Sequence, residues 1–330
     1  MLAVKHNITL QHFNKIIETA IQNLDVHHLK PEGLYEPAGY LMNLGGKRIR
    51  PALVLAAYSL FKENFEDAIP QVLAVELFHN FTLAHDDIMD EAPYRRGKAT
   101  IHTKWNTNTA ILSGDLIMIK AYEQLVNCPV EQLPKIVSVF NKTAVRVCEG
   151  QQYDMDFETL EEVSIDDYIK MIGLKTAALL DGSLRIGAIR AGASDAAVDF
   201  IGNFGMNLGI AFQLQDDILD AFGDPEKFGK QVGGDIIANK KTYLLLSALK
   251  FAEGKTQTEL QDLLKQNSNL EEKVKGVLSI YNSLNIKELA LAKMNEYYEE
   301  SLNNLHKIEA SEELKKPLFE ILASLRVREI

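Results

Sequence analysis

Two short stretches concentrate side chains that could do chemistry. HDDIMDEAPYRRGKATIH, residues 85–102, packs Asp86, Asp87 and Asp90 into five positions and follows them with Arg95, Arg96 and Lys98. FQLQDDILDAFGDPEKFGK, residues 212–230, repeats the pattern with Asp216, Asp217 and Asp220, then lysines. On a helix, Asp86 and Asp90 lie one turn apart, with Cβ atoms about 5–6 Å from each other. Their mutual repulsion is unfavourable, and the C-terminal end of a helix makes anions worse still. A hard divalent cation removes both penalties, and Mg²⁺ prefers carboxylate oxygens. A solvated acidic helix end would explain one such cluster. Two clusters, each trailed by cations, ask for more.

Further basic groups are spread between and around them. GGKRIRP carries Lys47, Arg48 and Arg50 after Gly45 and Gly46, and GLKTAA carries Lys175 and Thr176. GKQVGGDIIANKKT adds Lys230, Lys240 and Lys241. Taken singly, each is an ordinary solvated patch. Interleaved with two carboxylate clusters, they fit a ligand set with two highly charged phosphate groups. Arginine forks match phosphate geometry, and lysine supplies a compact charge. One diphosphate would bridge through metal to the aspartates, and another would sit metal-free at the arginines. No GxxxxGK[ST], no Rossmann glycine signature and no GxSxG occurs, so the phosphates are not expected to be those of ATP or a dinucleotide.

The elements that must position these groups read as helices. From Gln71 to Asp90 the chain is QVLAVELFHNFTLAHDDIMD, in which His79, Thr82, Asp86 and Asp90 recur at intervals of three and four. The rest of the segment (Val72, Leu73, Val75, Leu77, Phe78, Phe81, Leu83) is apolar nearly all round. Such a helix is buried, and its polar stripe is expected to line an internal cavity. GMNLGIAFQLQDDILD predicts a second helix of the same design. The clusters begin 216 − 86 = 130 residues apart, far enough for their helices to face each other across a bundle. Gly202, Gly205 and Gly209 run along the second helix. Each costs about 1 kcal/mol relative to alanine, which close approach of a helix or ligand, or plain packing need, would explain.

Capping boxes are expected at Ser164 with Asp167 and at Asn285 with Glu288. Breakers fall between helical segments, at Pro31–Gly33, Asn127–Pro129 and Gly223–Pro225. Strand signals are nearly absent, and no linker or short repeat divides the chain. The expectation is one all-α domain over residues 1–330, a bundle of long helices. The motifs occupy residues 35–242 and further helices residues 250–330.

Bulk composition agrees. The 330 residues are 46% hydrophobic and 25% charged, with a net charge of −11. So acidic a chain argues against general affinity for nucleic acid or an anionic membrane surface. Cys128 and Cys148 form neither a disulfide framework nor a zinc spacing, as in a reducing compartment. The opening MLAVKHNITLQHFNKIIETA has no signal-peptide-like apolar stretch. The longest apolar run, around PALVLAAYSLF, falls short of the roughly 18 residues of a membrane span. A cytoplasmic location is expected.

Read in order from about Tyr35 to Thr242, GGKRIRP, FHNFTLAHDDIMD, RRGKATIH, EGQQYD, LKT, FQLQDDILD and GK…NKKT resemble the trans-isoprenyl diphosphate synthases, the polyprenyl synthetase family. The resemblance implies an isoprenoid synthase-like fold with a deep central hydrophobic cavity, and a homodimer. It implies that Asp86, Asp90 and Asp216 hold about three Mg²⁺ ions on the allylic substrate's diphosphate. Asp87, Asp217 and Asp220 complete those motifs. Arg95, Lys175, Gln213, Lys230 and Lys240 would surround the same diphosphate, with Gln213 and the carbonyl near Thr176 favouring the allylic cation. Lys47, Arg50, His79 and Arg96 match the site for isopentenyl diphosphate, with Gly46 and Arg48 inside its first motif. The implied reaction is ionisation, condensation and elimination, with no protein nucleophile.

The family also implies a floor beneath Asp86 that limits product length. Phe81 occupies the position five residues before the first aspartate, with Phe78 a further turn down and Thr82 beside them. An aromatic group there resembles the short-chain synthases. The product is expected to be geranylgeranyl (C20) or farnesyl (C15) diphosphate, with C20 favoured, and a longer-chain synthase is the alternative. A terpene cyclase would need no second diphosphate site, which GGKRIRP, His79 and Arg96 disfavour. A non-catalytic subunit of a heteromeric synthase would be expected to lose aspartates or cations, and none is missing.

Overall fold

The structure, a computed structural model, describes residues 9–24, 26, 29–223 and 233–326. Its helices are α1 (Leu10–Gln22), α2 (Glu32–Met42), α3 (Ile49–Ser59), α4 (Ile69–Met89), α5 (Ile101–Lys104), α6 (Thr107–Leu125), α7 (Leu133–Thr159) and α8 (Ile165–Ile172). They continue with α9 (Ala178–Ala191), α10 (Asp195–Phe222), α11 (Gly234–Ile237), α12 (Tyr243–Phe251), α13 (Gly254–Leu264), α14 (Leu270–Ser283), α15 (Ile286–His306) and α16 (Glu312–Arg326). A π-helical turn, Gly173–Ala177, joins α8 to α9. Among the described residues the only strands are β1 (Tyr94–Arg95) and β2 (Lys98–Ala99), paired antiparallel as Tyr94↔Ala99 and Arg95↔Lys98. The fold is all-α, as the helical spacing predicts.

Local signals account for several helix starts. The Ser164 hydroxyl accepts from Asp167 N–H, and the Asp167 carboxylate accepts from Ser164 N–H, so the expected capping box is present. Thr9, Asn106 and Thr242 cap α1, α6 and α12 through their side-chain oxygens. Each such cap contributes about 1 kcal/mol. The box expected at Asn285 is not formed. Asn285 has φ 53°, a left-handed conformation, and makes no side-chain cap bond. It lies two residues past Ser283, the end of the preceding helix, where an αL residue commonly closes a helix C-terminus.

The described residues group into two compact units. One draws on Met1–Asn141, Gly182–Ile201 and Glu309–Ile321. In it α4 packs against α3 and α6. Every residue from Gln71 to Phe78 is buried, while His79, Thr82 and Asp86 keep partial exposure and Asp90 is exposed. The all-round apolar reading of the first part of this helix therefore holds, and its polar stripe opens toward the C-terminal end. Gly187 permits α9 to cross α3 closely, since a Cβ there would lie 2.2 Å from the Val54 carbonyl oxygen.

The other unit draws on Lys142–Asp181, Gly202–Ile308 and Leu322–Ile330. Its core is built on α10, whose Phe204, Leu208, Ala211, Leu214 and Ile218 are fully buried. The π-turn is pinched from two sides. A Cβ on Gly150 of α7 would stand 2.2 Å from Lys175 N, and one on Gly209 of α10 would stand 2.5 Å from Ala177 Cα. Close helix approach is thus what Gly209 provides, and π-turns of this kind commonly mark functional positions. No described helix is long and apolar enough to cross a membrane.

Candidate active site

In the first unit the aspartate cluster ends α4. Asp90 is the C-cap, exposed, and Asp86 one turn earlier is half-buried. Asp87 points inward, its side chain only 3% exposed, and is neutralised from the hairpin. Arg95 of β1 donates to Asp87 Oδ1 through Nε at 2.8 Å and Nη2 at 2.7 Å. The hairpin closes through Arg96 and Gly97, at φ 52° and 74°, the double left-handed turn that suits a two-residue connection. Sequence reading missed this hairpin because its turn signal is Arg-Gly, not Asn-Gly.

The same turn brings Arg96 back over the glycines of GGKRIRP. Arg96 Nη1 donates to the Gly45 carbonyl oxygen. Gly46 sits at φ 139°, a conformation that strains any other residue, and a Cβ there would also displace the Arg96 guanidinium, 2.8 Å away. Arg50 at the start of α3 reaches across to His79 of α4, with Nη1 and Nε2 3.2 Å apart. Arginine can only donate, so His79 Nε2 accepts and the ring is neutral. Burial, then Arg50, Arg96, Arg95 and Arg48, push the His79 pKa well below the usual imidazole range. Burial, together with Arg96, pulls Arg50 down to about 10 against the opposing pull of Glu76. Arg50 Nε is buried and makes no hydrogen bond. Clustered cations and an orphaned donor make this niche electrostatically suited to a phosphate-type anion.

Arg48 adds its charge to that group, but its own hydrogen bonds are made elsewhere. Its side chain is 3% exposed, and its guanidinium is engaged on three sides: Nε with Glu18 Oε1 at 2.8 Å, Nη1 with Glu76 Oε1, and Nη2 with the Met42 carbonyl at 3.0 Å. Lys47 beside it is exposed. Below Asp86, Phe81 lies between His85 and Phe78, with ring centroids 4.7 and 5.8 Å away. Phe78 is buried and meets Phe140 of α7 at 5.2 Å, which meets Tyr122 of α6 at 5.1 Å. The Thr82 hydroxyl donates to the His79 carbonyl at 2.8 Å. Phe140 and Tyr122 sit on other helices, so no local spacing could have flagged them.

In the second unit the same motif is held differently. Asp217 is buried and accepts from the Tyr168 hydroxyl and, at 3.3 Å, from Gln213 Nε2. The Thr176 hydroxyl donates to Gln213 Oε1 at 3.1 Å. Burial first, and then Asp235, raise the Asp217 pKa to about 7 against the hydrogen bonds and Lys240. Asp220 Oδ2 accepts from Asp235 N–H at 2.9 Å at the start of α11, and Asp216 is half-buried. Asp217, Asp220, Asp235 and Lys240 share the wall of one small cavity. Lys175 of the π-turn pairs with Asp154 of EGQQYD at 2.5 Å. Lys230 lies outside the described residues. Tyr168, Asp154 and Asp235 went unread in the sequence, the first because a buried tyrosine resembles any core aromatic.

The donor set suits a hard cation. Asp86 and Asp90 offer oxygens one turn apart at an open helix end, whereas Asp87 is turned inward onto Arg95. Among the described residues no group of three or more His, Cys, Asp or Glu gathers to hold a metal ion. One or two carboxylates plus phosphate oxygens and water is the ligand set Mg²⁺ ordinarily takes.

Comparison with known proteins follows the same lines. The profile of the polyprenyl synthetase family matches residues 31–281. A geranylgeranyl diphosphate synthase of Methanosarcina mazei is 40% identical over 273 residues, 81% of this chain and 82% of the relative. A short chain isoprenyl diphosphate synthase of Methanocaldococcus jannaschii is 38% identical over 266 residues, 80% of this chain and 81% of the relative. A crystal structure of a geranylgeranyl pyrophosphate synthase aligns with TM-score 0.92 at 41% identity, covering 96% of this chain and 98% of that one.

Proposed function

This chain belongs to the polyprenyl synthetase family, and from that premise we propose that it is a Mg²⁺-dependent prenyltransferase joining isopentenyl diphosphate, head to tail, to an allylic diphosphate, with geranylgeranyl diphosphate as its main product. Membership makes it an enzyme of prenyl chain elongation. The observation that carries the finer reading is the niche of Arg50, His79 and Arg96, where clustered cations surround a buried Arg50 donor that makes no hydrogen bond, on the same unit as Asp86 and Asp90, one turn apart at the end of α4. A terpene cyclase has no use for it.

Asp86, Asp90 and Asp216 would hold the metal ions. Bound there, Mg²⁺ supplies electrostatic stabilisation to the diphosphate as it departs. Lys175, Lys230 and Lys240 add cationic charge to the same leaving group. Arg50, Arg96 and Lys47 hold the isopentenyl diphosphate, and neutral His79 orients Arg50. The allylic C–O bond breaks with its electron pair going to the diphosphate. The isopentenyl double bond then attacks the allylic carbon, and a proton passes from the new cation to the departed diphosphate. Gln213 and the Thr176 carbonyl turn the negative ends of their dipoles to the positive charge as it forms. Phe81, backed by Phe78 and Phe140, forms the floor that stops elongation.

A homodimer accompanies this reading. It is supported by the exposed apolar side chains Ile111, Leu112 and Ile119 along α6, and sedimentation at several concentrations tests it.

The deciding assay incubates purified protein with Mg²⁺, isopentenyl diphosphate, and dimethylallyl, geranyl or farnesyl diphosphate in turn, with products read by mass spectrometry. Products ending at C20 are expected. Ending at C15 would move the floor one unit up, and C30 or longer would remove Phe81 from that role. Release of free diphosphate without condensation would overturn the proposal in favour of a cyclase.

A further inference from the structure

The side chain of Gln213 has two chemically opposite ends. Its oxygen accepts and carries partial negative charge, while its NH₂ donates and carries partial positive charge. Turning the amide over therefore reverses the dipole it offers to whatever lies beside Thr176. Thr176 does not choose between the ends, since a hydroxyl can donate to one or accept from the other. The choice falls to Asp217, four residues on along α10, which accepts from Gln213 Nε2 through Oδ1. A carboxylate that could rotate would select poorly. This one is buried, and its other oxygen is taken by the hydroxyl of Tyr168, itself buried on α8.

The result is a directional chain crossing three elements: Tyr168 of α8 donates to Asp217 Oδ2, Gln213 of α10 donates to Asp217 Oδ1, and Thr176 of the π-turn donates to Gln213 Oε1. We propose that Tyr168 is a positioning residue which, by pinning the Asp217 carboxylate, keeps the oxygen of the Gln213 amide on the Thr176 side of the site, where it stabilises the allylic cation. The inference rests on the prenyl-transfer reading above and adds to it a residue that touches neither substrate nor metal.

Two unreactive probes separate the possibilities. One is an allylic thiolodiphosphate, neutral at its hydrocarbon end. The other is an ammonium analogue that places a positive nitrogen where the cation would form. Dissociation constants are measured by calorimetry with Mg²⁺ present. The native enzyme is expected to prefer the ammonium analogue. Tyr168→Phe, which removes one oxygen, is expected to lower that preference about tenfold, the scale of one hydrogen bond to a charged group, while leaving the neutral probe's affinity unchanged. kcat should fall with both KM values held.

Gln213→Ala should abolish the preference, and adding Tyr168→Phe to it should change nothing further, because the tyrosine acts through the amide. Asp217→Asn, equal in shape, gives the same direction of change should Tyr168→Phe fold poorly. An unchanged preference in both Tyr168→Phe and Asp217→Asn, or additive losses with Gln213→Ala, overturns the inference. A native protein that binds neither probe overturns the prenyl-transfer reading itself, which is a separate outcome.

Discussion

The two aspartate regions carry the same spacing and solve its electrostatics in opposite ways. Asp87 and Asp217 are the middle residues of their motifs, and both are buried. Asp87 receives a guanidinium carried on a hairpin eight residues later. Asp217 receives hydrogen bonds from Tyr168 and Gln213 and the weaker pull of Lys240, while burial and then Asp235 raise its pKa to about 7. The last aspartates differ as well. Asp90 is an exposed C-cap, while Asp220 accepts the Asp235 N–H at the start of α11. Motif letters thus specify which oxygens are present. Neighbouring elements decide whether each is charged, engaged or open.

The comparison can be broken hardest at the positions proposed to hold metal. Asp86→Ala should lower kcat by at least about 10²–10³-fold, the loss typical of a removed electrostatic stabiliser. Asp217→Asn should cost clearly less, since its carboxylate faces inward. Equal losses in steady-state assays would mean that the middle aspartate of the second motif also meets the diphosphate.

Stability tests the two ways of compensating a buried carboxylate. Arg95→Met should destabilise by about 2 kcal/mol in urea unfolding, below the range for a fully buried pair because Arg95 is a quarter exposed. Tyr168→Phe should cost about 1–1.5 kcal/mol. If the order reverses, the hydrogen-bonded arrangement is the stronger of the two.

A third measurement uses pH. His79 is held neutral in the fold, with its pKa depressed well below 6.5. Below about 6.5 the unfolded chain binds a proton there that the native state does not, so stability falls as pH falls through that range. Asp217 runs the other way. Its native pKa, about 7, lies above the unfolded value of about 3.9, so the native state holds the extra proton and stability falls as pH rises between those values. In the ligand-free protein, His79→Gln should flatten the acid side of a plot of Tm against pH, and Asp217→Asn should flatten the slope between about pH 4 and 7. Identical profiles for both variants would remove the contrast.

The smallest expected change is in product length. Phe81→Ala should shift it by one or two five-carbon units without loss of turnover, and unchanged length would transfer the floor to Phe140 and Tyr122.

Much of this was legible before any coordinates. Helical spacing located α4 and α10 because a buried helix repeats every three to four residues whatever surrounds it. The Ser164 box was legible since all its atoms lie within one turn, whereas Asn285 looked the same and failed because the preceding helix end set its backbone. Arg48 stood out for its neighbours in GGKRIRP, yet it is spent on Glu18 and Glu76, residues 30 positions before and 28 after it. Nothing local announces such partners.

The sequence by itself determined the all-α framing, the two carboxylate clusters and the inventory of cations that accompany them. Those depend on residue type and on spacings within a turn or two of helix. Only the tertiary structure decided that Arg95 belongs to Asp87, that Arg50 leans on a neutral His79, and that Tyr168 reaches Asp217 from 49 residues away. Charge state and orientation in a buried site follow from desolvation and from whichever groups packing brings within a few ångströms. That is a property of the folded chain and of no segment of it.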